Sequence, residues 1–260
     1  MLLGFYGVAA PGMTDGAHRM KNAGSTSCPG NSDEVARVVR RSQVLAAVAC
    51  RGNIECGAGD SEAEEIHTRL LNWLTGMALW PYVEAGEKTL LQAPLGDLDR
   101  QDVIRATWRA EGLAILAWAS KEFEFPRHDQ KVDPSAVAEA VWFLNEDAGE
   151  WVTLAKLRSV ARRKAAREVL YAIHVRLRDF LRNGGETDFM NWVQPFWLDL
   201  LRIDTSDLII NGDLAIDGRP IREVENERIQ EVSWITHQRH QAIIWLVERY
   251  PNYAETPVDT

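Results

Sequence analysis

Apolar residues recur at helical spacing along most of this chain, and residues 101–123 carry the pattern most clearly. One stripe of this segment is formed by Ile104, Trp108, Ile115 and Trp118. Residues 112–119 are apolar on every side, which is typical of a helix with neighbours all round it. Glu111 interrupts the stripe, and a carboxylate in such a place needs a partner or a shifted pKa. The pattern predicts a buried central helix that is capped by Asp99.

The same periodicity predicts helices on both sides of the central one. Ser61 and Glu64 match a capping box for a helix that ends before Pro81, since proline disfavours helix in the residue before it. Asp133 and Pro134 form a second start signal, because proline fits the first helical position, and this helix runs to about residue 144. The remaining helices are predicted over residues 33–49, 83–92, 154–182 and 226–248.

The pattern of apolar residues changes after the longest predicted helix. Residues 208–216 have two short apolar runs around an Asn-Gly turn, which predicts one β-hairpin. Pro220 keeps the following segment from pairing as an inner strand. The expected fold class is mainly α: a single multi-helix globular domain over residues 33–260 with one small β-hairpin near 208–216. Residues 1–32 are rich in glycine and serine without periodicity, which predicts a flexible arm.

The charge balance narrows the range of partners. The 260 residues carry 29 basic and 38 acidic side chains, a net charge of −9. Such a balance disfavours nucleic acid and anionic lipid as partners. Residues 154–182 are strongly basic, and we interpret them as a solvated face paired with acidic neighbours of the same domain.

Targeting signals and cysteine usage favour the cytoplasm. No apolar run approaches the ~18 residues of a membrane span, and we expect no membrane contact. Residues 2–11 lack the basic start of a secretory signal, so none is expected. The cysteines form no C-x-x-C pair. We therefore predict that Cys28, Cys50 and Cys56 are reduced thiols.

Tryptophan is unusually frequent, with ten in the chain. Large aromatic rings suit cores, interfaces and stacking sites alike. Placement inside predicted helices favours the core for Trp73, Trp108, Trp118, Trp234 and Trp245.

Titratable groups lie on or beside the apolar stripes of predicted helices at Glu111, His174 and His240. If these groups converge, burial and mutual contact could tune their pKa values for acid–base catalysis. A structural network of buried polar groups is the commoner outcome of such a pattern, and both interpretations stay open. The last predicted helix, which carries His237, Arg239 and His240, is the leading candidate for the partner of Glu111, and we expect Glu111 and His240 to face each other. The candidates for ligand binding are Trp108, Arg109 and His237.

Two spacings are compatible with metal ligands. His237-x-x-His240 places two imidazoles on one helix face. Glu64-x-x-His67 has the spacing of carboxylate-bridged metal bundles, which need two such motifs. Spacing alone is weak evidence, so we expect no bound metal. The sequence has no P-loop, dinucleotide-binding glycine turn or nucleophile elbow, and we expect no cofactor.

Several blocks of the sequence resemble one bacterial family. The segment Thr107-Trp-Arg-Ala-Glu-Gly-Leu113, running into Leu116-Ala-Trp-Ala119, is similar to the core block of domain of unknown function 4272. Similar later blocks are Asn211-Gly-Asp-Leu-Ala-Ile216, His240-Gln-Ala-Ile-Ile-Trp-Leu246 and Val258-Asp-Thr260. The resemblance covers roughly residues 35–260, with departures at Ser120-Lys121 and Ile244. It implies a domain and no activity, so no residue inherits a role.

The sequence supports two hypotheses about function. The first is a non-enzymatic binding or protein-interaction domain whose partner is an unknown protein or small molecule; it rests on the missing catalytic motifs and the many tryptophans. The second is an enzyme, such as a hydrolase, with an acid–base cluster around Glu111 and His240. An open pocket with Glu111 beside a histidine would favour the enzyme, and burial away from solvent would favour the binding domain.

Overall fold

The order of elements confirms the expected mainly α class with a small sheet. The computed structural model describes residues 29–258, with side chains from Ser32 onwards. The helices are α1 (Pro29–Ile54), α2 (Ser61–Gly76), α3 (Ala85–Gln92), α4 (Arg100–Thr107), α5 (Arg109–Ala119), α6 (Pro134–Ala140), α7 (Ala148–Leu154), α8 (Val160–Asn183), α9 (Pro195–Leu201), α10 (Thr205–Leu208) and α11 (Asn226–Glu248). Strands β1 (Ile209–Ile210), β2 (Asp213–Ile216) and β3 (Arg219–Pro220) form an antiparallel sheet in chain order. Among the described residues, no helix is both long enough and apolar enough to cross a membrane.

The core consists of two hydrophobic clusters that share α1. The first cluster is filled by α5, α8, α11 and the hairpin, and the second by α2, α3 and α4. From α1, Val38 and Leu45 enter the first cluster, whereas Val44 and Val48 enter the second. α5 is buried from its second residue to its last, which confirms that this segment lies at the centre of the domain.

The predicted continuity of the central helix over residues 101–123 is wrong. The chain bends at Trp108, where the N–H of Glu111 donates to the Trp108 carbonyl only three residues back, at 3.1 Å. α1 passes so close to this bend that a Cβ atom on Gly52 would lie 2.7 Å from the Cβ of Ala106. The bend therefore coincides with the close crossing of α1 and α4.

The central segment also ends earlier than the pattern indicates, at Ala119. The hydroxyl of Ser120 donates back to the Leu116 carbonyl at 2.9 Å, and Lys121 has a φ of 70°, which no helix continues. Because the helical pattern is interrupted at Trp108, a single helical wheel misplaces the first turns. Ile104, which the wheel assigns to the buried stripe, is 37% exposed.

Helix α8, which the sequence pattern predicts from residue 154, begins later than predicted. α7 ends at Leu154, the predicted start, and the next residues are not helical. The N–H of Arg158 donates to the carbonyl of Ala119 at 2.7 Å, so this connection bonds to the end of α5 instead of to itself. The hydroxyl of Ser159 then accepts from the N–H of Arg162 at 3.3 Å and caps α8.

Smaller differences occur at other helix ends. α1 begins at Pro29 instead of near residue 33, because proline is well suited to a first turn, and it continues to Ile54. Residues 29–32 thus belong to a helix, and the rest of the predicted arm lies outside the described residues. α2 is capped by Asp60, which accepts from the Glu62 N–H, and the predicted box at Ser61 is not the cap.

The remaining predicted boundaries are those of α6, α11 and the hairpin. α6 stops at Ala140, short of the predicted residue 144, and Trp142 and Leu144 have φ values of 58° and 59°. The predicted bounds of α11 are confirmed. The hairpin is confirmed as well, with Pro220 paired opposite Ala215 in the short edge strand β3.

Some of the tryptophans lie in the core and some at the surface, and the arginines of the basic helix α8 also include buried ones. Trp118 and Trp245 are buried as expected, and Trp73 and Trp108 are partly buried, but Trp234 is 58% exposed, so its predicted place in the core is wrong. On α8, the expected pairing with acidic neighbours is present: Arg163 binds Glu34 at 2.6 Å, and Arg176 binds Asp213 at 2.7 Å. Both arginines are buried, so this part of α8 is not a solvated face.

Glu111 is paired with Arg239 of α11. The Nε and Nη2 atoms of Arg239 donate to Glu111 Oε2 at 2.9 and 2.6 Å, and the Val132 N–H donates to Oε1 at 3.0 Å. Arg239 also donates to the carbonyls of Arg127 and Gln130 at 2.5 and 2.6 Å. We call this group of five residues the Glu111 clasp.

The last helix was the expected source of the partner, and that expectation is confirmed. The expected facing of Glu111 and His240 is wrong, because consecutive helical residues point about 100° apart and Arg239 occupies the position opposite Glu111.

Substitution of Glu111 by alanine should destabilise the fold by ~3–5 kcal/mol, because it leaves the Arg239 charge buried without its partner. Glu111→Gln should cost less, since the amide keeps one acceptor. In urea unfolding, a double-mutant cycle of Glu111→Ala with Arg239→Ala should give a coupling above ~0.5 kcal/mol.

The matched control is the cycle of Glu111→Ala with His240→Ala, which we expect to be additive within ~0.5 kcal/mol. Additivity in the Arg239 cycle, with a stable Glu111→Ala protein, would contradict the role of the clasp.

Candidate functional site

Trp108 and Arg109, two of the candidate ligand-binding residues, have different partners. Trp108 lies at the bend between α4 and α5, with the Lys131 ammonium 5.0 Å from its ring centroid. Arg109 donates to the Gln241 side chain at 3.1 Å and lies over the Tyr253 ring, so it ties α5 to α11 and the tail. These contacts give both side chains a structural role.

Three histidines meet where α8 crosses α11. The Nδ1 atoms of His174 and His240 are 3.1 Å apart, and the His237 ring centroid lies 5.7 Å from that of His174. Burial lowers the pKa of His174 to about 4 and that of His240 to about 3, and positive neighbours, including His237, act in the same direction. Both imidazoles are therefore neutral at pH 7, and one Nδ1–H donates to the other ring's Nδ1.

Glu111 does not converge with these histidines. The hydrogen bonds of Glu111 go to Arg239 and Val132, whereas His240 is bonded to His174. Glu111, His174 and His240 are 3%, 3% and 2% exposed, so all three are sealed from solvent. Because these three groups are buried away from solvent, we interpret them as structural polar contacts and not as an acid–base site.

Neither metal spacing assembles a ligand set. His67 bonds to the Leu91 carbonyl at 3.0 Å, while Glu64 is exposed. Within residues 29–258, no group of three or more histidine, cysteine, aspartate or glutamate side chains is arranged so that it could hold a metal ion.

A cavity of about 140 Å³ lies at the seam between the two hydrophobic clusters. Ala46 and Leu113 of the first cluster face Cys50 and Ala63 of the second, and Phe143 contacts both clusters. α1, α2, α5 and α6 each contribute to its wall. We call it the seam cavity.

Polar side chains lie only at the mouth of the seam cavity, where Asn53, Asp60, Glu62 and Arg69 are exposed or partly exposed. Inside, burial raises the pKa of the Cys50 thiol to about 12, so the group is protonated and unreactive at neutral pH. The interior of the cavity is therefore apolar and holds no activated nucleophile, while its rim is polar.

Sequence reasoning missed this cavity because small side chains create it. Ala46, Ala49, Ala63 and Ala138 all line it. The available signal was the run of small residues along α1 at 46–50, whose alanines are helix formers that fill little volume.

The buried histidine pair predicts a loss of stability on acidification. Unfolded histidines bind protons near pH 6.5, whereas folded His174 and His240 do so only near 4 and 3. Between these limits the unfolded state binds more protons, so the free energy of unfolding should fall as the pH drops from about 6.5 towards 4. The decline has an upper limit of ~1.4 kcal/mol per pH unit for each histidine.

Urea unfolding at a series of pH values measures this decline, and His240→Gln should make it shallower. Some decline will remain, because burial also lowers the pKa of His128. An unchanged slope in His240→Gln would show that the pair does not titrate as the geometry implies.

Comparison with known proteins identifies the family. A model of the family described as Domain of unknown function (DUF4272) matches residues 29–188. The match includes the block at residues 107–119 and the seam cavity, whereas the similarity seen in the hairpin and α11 lies beyond it and stays a prediction. No curated protein and no solved structure matches the chain. Because the match spans more than half of the 260 residues, the chain belongs to the family Domain of unknown function (DUF4272).

Proposed function

We propose that this chain is a non-enzymatic binding domain that holds a small apolar group in the seam cavity. The observation that carries the proposal is the open gap at the seam of two otherwise close-packed clusters. Protein interiors rarely leave such space unfilled. An apolar cavity of about 150 Å³ is known to accept benzene, which sets the scale of the group that fits.

The polar mouth supports a small molecule as the occupant. Its side chains include one amide, two carboxylates and one guanidinium, at Asn53, Asp60, Glu62 and Arg69. A ligand with a short apolar end and a neutral hydrogen-bonding end would satisfy both parts of the site.

The alternative, an enzyme with an acid–base cluster around Glu111 and His240, has less support. The Glu111 carboxylate is engaged by Arg239 and by the Val132 N–H in the core. Proton transfer to a substrate would require breaking that buried pair, for which the geometry provides no compensation.

A cytoplasmic location is part of the same proposal. Cys50 and Cys56 are free thiols, and the net charge is −9. Both features suit a reducing compartment and an acidic intracellular protein, and protein fractionation would test the location.

The binding proposal predicts that benzene and 1-hexanol bind in the seam cavity. In methyl NMR titrations of the full chain, we expect saturable shifts confined to residues such as Ala49 and Leu113. A dissociation constant below ~1 mM is expected, since that requires only about −4 kcal/mol from six or seven heavy atoms.

Ala49→Leu should abolish these shifts by filling the cavity, at a stability change within ~1 kcal/mol, because the added carbons occupy existing space. Ala138→Leu fills the cavity from another wall and should act alike. The matched control is Ala155→Leu, a buried alanine outside the cavity, which should keep probe binding but lose ~1–3 kcal/mol by overpacking. Unsaturable shifts, or binding retained in both filled variants, would refute the proposal.

A further inference from the structure

A second cavity, of about 470 Å³, lies beside the N-terminal half of α1. Its walls come from α1, from the segment at residues 81–84 before α3, and from α11 with the tail behind it. We call it the arginine groove, since it is lined by Arg37, Arg40 and Arg41 together with Asp33, Glu84 and Trp245. It shares no lining residue with the seam cavity.

Arg37 is a fixed, partly buried cation in this groove. Its Nη1 and Nη2 atoms donate to the carbonyls of Tyr250 and Trp245, each at 3.0 Å. The guanidinium carbon lies 3.7 Å from the centroid of the Trp245 ring. Burial lowers the pKa of Arg37 and the nearby Glu34 charge acts against this effect, although among the described residues no carboxylate lies within ion-pair distance of the guanidinium. Arg37 is thus oriented by neutral partners.

Arg40 lies nearly one helical turn further along and has no ion pair with a described residue. Its guanidinium carbon is 4.6 Å from the centroid of the Tyr82 ring, which is 42% exposed. Arg41 differs, because it binds Glu84 at 3.1 Å and also Glu87. The Arg40 guanidinium, and the Arg37 Nε–H that bonds to neither carbonyl, are therefore available to a ligand.

Glu84, one of the two carboxylates in the groove, is already occupied. Besides Arg41, it accepts from the backbone N–H groups of Tyr253 and Ala254, at 2.5 and 2.9 Å. Its charge serves to hold the C-terminal tail, which leaves Asp33 as the remaining acid in the lining.

The unsatisfied buried atoms of the groove residues are donors. Arg41 Nε and Trp245 Nε1 are buried and have no hydrogen-bond partner. A buried donor without an acceptor is unfavourable, and native proteins rarely leave one unexplained. The lining thus has three arginines against two carboxylates, Asp33 and Glu84, and an oxyanion supplies the missing negative charge and hydrogen-bond acceptors.

We infer that the arginine groove binds a small organic oxyanion, a carboxylate or phosphate attached to a planar group. The planar guanidinium fork matches the oxygen geometry of both anions. The exposed Tyr82 ring provides a surface for the planar part of the ligand. The volume falls within the range of ~300–1,000 Å³ found for small-molecule sites.

Titration of the full chain with inorganic phosphate, adenosine monophosphate and benzoate tests the inference. We expect saturable NMR shifts of the Arg37 and Arg40 Nε–H groups and of the Trp245 indole. A response to both phosphate compounds assigns a phosphate ligand, whereas a response to benzoate alone assigns a carboxylate. Absence of saturable shifts up to ~10 mM of every probe would overturn the inference, since affinities weaker than that carry little specific binding energy.

Arg40→Gln is the decisive variant, because Arg40 forms no ion pair in the described structure and the fold should tolerate its loss. It should weaken binding of the responding probe about tenfold or more, as expected for loss of one charge-assisted hydrogen bond. The matched control is Arg105→Gln, a 69% exposed arginine on α4 outside the groove, which should leave binding unchanged. Equal weakening by both variants would show a general charge effect and overturn the site.

Discussion

The ion pair between Glu111 and Arg239 is the constraint on which the centre of this structure depends. Both side chains lie in the core, 3% and 1% exposed. Buried charges are tolerated only when they are paired and their other polar atoms are satisfied. One carboxylate cannot satisfy all donors of a guanidinium, so Arg239 also bonds to the carbonyls of Arg127 and Gln130. The connection between α5 and α6 is thereby fixed to α11, although it has no regular secondary structure of its own.

The same arrangement recurs at other buried arginines. Arg51 of α1 pairs with Glu55 and donates to two carbonyls in the connection after α3. Arg176 of α8 pairs with Asp213 and donates to the Gly185 carbonyl at 2.7 Å. A guanidinium suits this task because its donors spread in one plane and reach several acceptors at once. The buried charges of this family member thus hold connections between helices, which is why Glu111 is a poor candidate for chemistry.

Local pattern predicted those elements whose ends are set by their own sequence. The bounds of α11 and the hairpin belong to this class. The bend at Trp108 does not, because no glycine or proline marks it and the close approach of Gly52 on α1 accompanies it. A helical wheel likewise identified Glu111 as a buried charge needing a partner on the last helix, but it could not choose Arg239 over His240, since only the packing of α5 against α11 fixes that rotation. The seam cavity is defined by missing side-chain volume, and the spacing of hydrophobic residues does not report side-chain volume.

Both proposed ligand sites lie along α1 and not on the central helix that the sequence pattern emphasises. Its first half presents Arg37 and Arg40 to the arginine groove, and its second half presents Ala49 and Cys50 to the seam cavity. A helix with a core on both sides usually has large apolar residues all round. α1 departs from that rule in two ways, with two arginines that form no ion pair with a described residue, Arg37 and Arg40, and with side chains too small to fill their surroundings. The two proposed ligand sites would account for both departures on one helix.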